Sequence, residues 1–179
     1  SQSNVSYQFE NLGQHSVKLV LTSTDNCKDS LTKQILIKPL IVVDETLNGF
    51  YLEDFEQGEA YWDARGLVEN GYFSWDFGYP SGQVINYPSS GSNAWYTVID
   101  INNQKVEKSQ VVSPCFDLQL LEKPMLKLNI WSHPEVGRDG TVLQYDENGD
   151  NNWVNLGSVG DGINWFNSST IQSQPGGLG

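Results

Sequence analysis

The sequence predicts an all-β protein, with half a sandwich at the N-terminal end followed by a larger sandwich or jelly roll. Three observations carry that expectation. Apolar and polar residues alternate with period two in one segment after another. No window keeps a 3.6-residue period over three turns. Clusters rich in Gly, Asn, Ser and Pro interrupt the alternation at roughly ten-residue spacing, as in sandwiches and barrels.

In chain order, Tyr7 and Phe9 precede a turn at Gly13, and Val17, Leu19 and Leu21 alternate after it. A turn at "TDNCKD" leads to Leu31, Ile35 and Ile37, so residues 1–39 read as about three strands. Residues 40–49 read as a connector. Residues 50–179 form the second module. Its candidate strands, one of which starts in the connector, are "GFYLEDFE", "AWYTVID", "KSQVVSPCFDL", "PMLKLNIWSH", "GTVLQYDE" and "NWVNLGS". The turns between them fall at "YPSGQVINYPSSGSN", "DINNQK", "EVGRDG" and "DENGDNN".

Charge divides the chain at the same place. Residues 1–43 hold three acids and four lysines and no tryptophan; the remainder holds nineteen acids, six bases and all six tryptophans. The net charge of −12 repels a phosphate backbone, so no nucleic-acid partner is expected. Aromatics at 12% and charged residues at 18% speak against disorder. No run of 18 apolar residues is present, so no insertion into a membrane is predicted. Cys27 and Cys115 lie in different modules and have no metal-ligand spacing, which disfavours a bridge between them.

The run Tyr7-x-Phe9-x-x-x-Gly13-x-His15-x-Val17-x-Leu19-x-Leu21 resembles the second half of a PKD domain, an immunoglobulin-like sandwich of cell-surface proteins. His15 stands where that family has a tyrosine. The family's Trp-x-Phe-Gly-Asp-Gly stretch would precede Ser1, so the resemblance implies that residues 1–39 are part of a domain. Residues 50–166, through "FYLEDFEQG", "FSWDFGYPSGQVINYPSSGSNAWYT", "SQVVSPCFDLQLLEKPMLKLNIW", "DGTVLQYDENGDNNWVNLG" and "NWFN", resemble a jelly-roll module similar to MAM and laminin-G-like sandwiches. Such modules occur in large surface proteins of Bacteroidetes, including gliding-motility adhesins and type IX secretion substrates. The resemblance implies a secreted or outer-membrane-associated location, and further strands beyond the C-terminal "QPGGLG".

Three sites merit attention. "YDENGDNNW" places Asp146, Asn148, Asp150 and Trp153 in register with an Asp-box, whose polar side chains close a hairpin. A calcium loop would need glycine at Asn151 and a bidentate glutamate at Gly157, so a turn is the better reading. Asp54 and Glu56 share parity and point to one face if "LEDFE" is a strand. They read either as ligands of a structural Ca2+ or as edge-strand charges that block aggregation; by the resemblance, Asp139 is a further calcium ligand. "FSWDFGYPSGQVINYPSSGSNAWY" reads mainly as core through Trp75, Phe77 and Trp95, or as a sugar-stacking surface, with Tyr79 and Tyr87 the exposed members.

Enzyme chemistry has little footing. His15 and His133 fall in different modules, and Ser132 and His133 are neighbours that a strand would point to opposite faces. Cys115 in "SPCFDL" reads as a buried small hydrophobe. The expected function is a non-catalytic adhesion or spacer module, alternatively a carbohydrate-binding accessory of a secreted polysaccharide-degrading enzyme or peptidase. The expected partners are a surface polysaccharide or another cell-surface protein, and neighbouring modules of the same chain.

Overall fold

A computed structural model describes residues 4–47, 49–67, 73–97 and 107–175. The chain is all-β, with no α-helix among the described residues. Its strands form several small sheets that do not close into a barrel, an arrangement consistent with the β-sandwich class. Backbone contacts group the chain into two compact units, Ser1–Asn129 and Ile130–Gly179.

In the first unit, β1 (Gly13–Thr22) and β2 (Lys28–Ile37) form a long antiparallel hairpin. Their alternation sets the register, with Leu19 opposite Leu31 and His15 opposite Ile35. The turn between them is closed by Ser23, whose Oγ accepts the N–H groups of Asp25 (3.3 Å) and Cys27 (3.1 Å). Asn26 takes the left-handed conformation, φ 61°, which asparagine tolerates better than most residues. The expected strand through Tyr7 and Phe9 is not present. Instead the Phe9 ring meets Tyr7 edge-on and His15 at a tilt, 4.9 and 4.7 Å between ring centroids.

β3 (Leu40–Val42) arises within the connector and pairs in parallel with β8 (Cys115–Asp117). β4 (Asp63–Gly66) pairs with β7 (Ser109–Val112), and β5 (Trp75–Gly78) with β6 (Ala94–Thr97), both antiparallel. Pro114 breaks "KSQVVSPCFDL" into β7 and β8, because proline has no N–H to give a ladder. Its side chain and that of Pro80 are fully buried, and Val43, 8% exposed, is the buried aliphatic residue among those described. Cys115 is exposed, contrary to the buried hydrophobe expected, since the adjoining proline takes the interior position; Cys27 is exposed too, and both are free thiols.

The second unit holds β9 (Gln144–Tyr145) and β10 (Val154–Asn155), a short antiparallel hairpin. Two expected strands are absent. "PMLKLNIWSH" makes no ladder, and "GFYLEDFE" is broken by Phe55 at φ 62°. The turn at "DINNQK" and the "VID" end of "AWYTVID" lie outside the described residues, as does "GGLG" at the C-terminus.

Candidate functional site

The loop from Tyr79 to Asn93, between β5 and β6, carries Tyr79 and Tyr87 and is bonded by Glu56. Buried Pro80 fixes its start. Within it, Gly82 N–H donates to the Ile85 carbonyl at 3.0 Å, in a turn so tight that a β-carbon on Gly82 would lie 2.8 Å from that oxygen. Beneath the loop, Phe55, Trp62, Phe77 and Trp95 form a chain of ring contacts with centroids 5.4–6.1 Å apart. Edge-on and tilted geometries suit the ring quadrupoles. Trp75, Phe77 and Trp95 are each half-buried. Tyr79 and Tyr87 are each 56% exposed.

Glu56 closes the far end of the loop. Its Oε1 accepts the backbone N–H groups of Ser92 and Asn93, both at 2.8 Å, while Asn93 Nδ2 donates to the Phe55 carbonyl at 3.3 Å. Gly91 makes room for that carboxylate: it sits at φ 59°, and a β-carbon there would lie 2.4 Å from the Glu56 carboxyl carbon. Asp54 Oδ1 accepts Glu56 N–H at 3.1 Å, forming an Asx-type turn. The parity argument that put Asp54 and Glu56 on one strand face therefore fails, because the left-handed Phe55 between them breaks the strand.

Oε2 of Glu56 and Oδ2 of Asp54 remain for a cation, against the six to eight oxygens calcium takes. Asp139 belongs to the second unit, where its N–H donates to the Glu135 carbonyl at 3.1 Å beside an Arg138–Glu135 ion pair of 3.0 Å. Among the described residues no three His, Cys, Asp or Glu side chains converge as a metal-binding group.

The "DENGD" segment is the tip of the β9–β10 hairpin. Asp146 Oδ1 accepts the N–H groups of Asn148 (3.3 Å) and Gly149 (2.9 Å), and Oδ2 accepts that of Asn151 (2.8 Å). Partial desolvation pushes this carboxyl up, but the N–H groups of Asn151, Gly149, Asn148 and Asp150 together hold it below the usual carboxylate value. Nearby, Asp161 Oδ2 accepts both the N–H and the Oγ–H of Ser158, and Trp165 Nε1 donates to the Leu156 carbonyl at 2.7 Å. The sequence reading of this acidic cluster as a turn is what the hydrogen bonds show.

Two further polar centres have no local signature in the sequence. Lys38, just past β2, pairs with Asp63 and donates to the carbonyls of Val112 (2.6 Å) and Ser113 (3.2 Å). Burial lowers its pKa, against the opposing pull of Asp63. Glu107 Oε1 accepts Ser74 N–H at 2.9 Å and the Ser109 hydroxyl at 2.5 Å. Apart from Ser109, two residues from Glu107, the partners lie 25 to 75 residues apart, beyond any local pattern. No protein-family model, no curated protein and no solved structure matches the chain.

Proposed function

We propose that the chain is a non-catalytic adhesion or spacer module of a larger secreted or cell-surface protein, contacting its partner through the loop from Tyr79 to Asn93. The observation that supports this reading is the clamp on that loop. A carboxylate, a buried proline and two sterically required glycines hold it in one shape while it presents two exposed tyrosines. A preformed surface loses little conformational entropy on binding. Asp146, Asp161, Glu56 and Glu107 all accept backbone N–H bonds that close loops, which is a structural use of carboxylates.

A surface polysaccharide is the second reading for the partner, favoured by the half-exposed phenol rings, whose faces suit the apolar face of a sugar. A structural Ca2+ beside Asp54 and Glu56 belongs to the same proposal, with Asp139 implied only by resemblance. Affinity electrophoresis of the chain through polysaccharide gels, with calcium and with chelator, tests these points. Retardation by one glycan, lost in Tyr79→Ala or Tyr87→Ala without loss of folding, supports the carbohydrate partner. Release of sugar products from any gel would overturn the non-catalytic reading.

A further inference from the structure

We propose that the β1–β2 hairpin is a self-association surface, and that it is covered by the same face of a second copy of this chain. Residues opposite one another in an antiparallel pair share a face. One face therefore carries His15, Val17, Leu19 and Leu21 from β1, with Ile35, Lys33, Leu31 and Asp29 opposite them on β2. The reverse face is mostly polar, with Gln14, Ser16, Lys18 and Thr22 on β1 and Lys28, Ser30, Thr32 and Gln34 on β2, and Val20 and Leu36 its apolar members. On the apolar face Val17, Leu19, Leu21, Leu31 and Ile35 are 40, 57, 60, 58 and 38% exposed. A two-stranded sheet alone is marginal in water and needs its apolar face covered.

Charge placement selects the occupant. Asp29 and Lys33 lie two positions either side of Leu31 on the same face. A wholly apolar cover would desolvate both charges without compensating either. A second copy related by a two-fold axis across Leu19 and Leu31 compensates both. The axis sets Leu19 facing Leu19, Leu31 facing Leu31 and Val17 facing Leu21 of the other copy. It sets Asp29 of each copy against Lys33 of the other, the self-complementary pattern of a two-fold interface. At about 100 Å² of apolar surface per aliphatic side chain, the two faces together remove roughly 1,000 Å² from water, the lower bound of a specific interface. Repulsion between two chains of net charge −12 opposes association, but it is weakest here, where residues 1–43 carry four lysines against three acids.

Sedimentation equilibrium of the full chain over a range of concentrations, with circular dichroism to verify folding, tests the proposal. A monomer–dimer equilibrium is expected. Lys33→Glu alone, and Asp29→Lys alone, each set like charges together and raise the dissociation constant about tenfold. The double variant Asp29→Lys/Lys33→Glu exchanges the charges and restores the dimer. A chain that stays monomeric at every concentration overturns the proposal. So does association that ignores the single reversals, or that the double exchange does not restore.

Discussion

Glu56 and Asp146 are both loop-closing carboxylates, and they differ in what their removal should do. Glu56 accepts two N–H groups across 36 and 37 residues, so it fastens one segment of chain to another. Replacing it with alanine leaves the N–H groups of exposed Ser92 and half-buried Asn93 without their carboxylate partner. The expected loss is about 1–2 kcal/mol in urea unfolding, the range for charge-assisted bonds discounted for partial exposure. If calcium also sits there, the wild-type melting temperature rises with calcium and that of Glu56→Ala does not. A loss of stability with no calcium effect in either protein leaves the clamp as the whole role. Asp146 acts within seven residues, and its effect depends on pH. Its folded pKa lies below the unfolded one, so its contribution is present above the ordinary carboxyl range and is lost as pH falls through the folded value. Asp146→Ala should therefore lower the melting temperature at pH 7, and the gap should close on acidification below about pH 4. A gap that is unchanged down to pH 2 would assign the effect to packing rather than to the ionised carboxylate.

Lys38 does for strands what Glu56 does for a loop, fastening the end of β2 to β4 and β7 through one ammonium with three acceptors. Arg65 forks onto the same Asp63 at 3.0–3.2 Å, so Asp63 keeps a cation when Lys38 is removed. Lys38→Met preserves the apolar stem but strands two carbonyls, and about 2 kcal/mol of destabilisation is expected. Hydrogen exchange should locate the loss at the Gly13–Ile37 end of the hairpin; uniform loosening would deny Lys38 its anchoring role. That hairpin was the most legible element in the sequence, because ten-residue strands of alternating residues leave one register that puts Leu19, Leu21 and Leu31 together. The four-residue strands "DARG" and "WDFG" were not legible, since a ladder so short has no period to read. "GFYLEDFE" was misread for a different reason. Its composition fits a strand, but Phe55 turns left-handed to reach Trp62 and Phe77, a tertiary gain that overrides local propensity. In the candidate site, exposure of Tyr79 and Tyr87 followed from the Pro and Gly residues around them, whereas the Glu56 clamp depends on backbone groups far along the chain.

At the scale of the molecule, charge and exposed apolar surface act against each other. The net charge of −12 at neutral pH opposes association beyond the hairpin face, with nineteen of the twenty-two acids beyond residue 43. Many aliphatic side chains are exposed, including Met125, Val136 and Ile163 in addition to the hairpin face. Repulsion of this kind disappears as the carboxylates take up protons, and the net charge reaches zero at the isoelectric point near 4.3. Turbidity should therefore peak close to that pH and fall again below it, as the ten basic groups and two histidines give the chain a positive charge. Salt separates this cause from unfolding. At pH 7, raising the ionic strength shortens the screening length to a few ångströms, which should promote association while the circular dichroism spectrum stays unchanged. Turbidity that climbs steadily below pH 4.3 together with loss of β signal would mean that protonation of loop-closing carboxylates such as Asp146, rather than loss of net charge, brings the chains together.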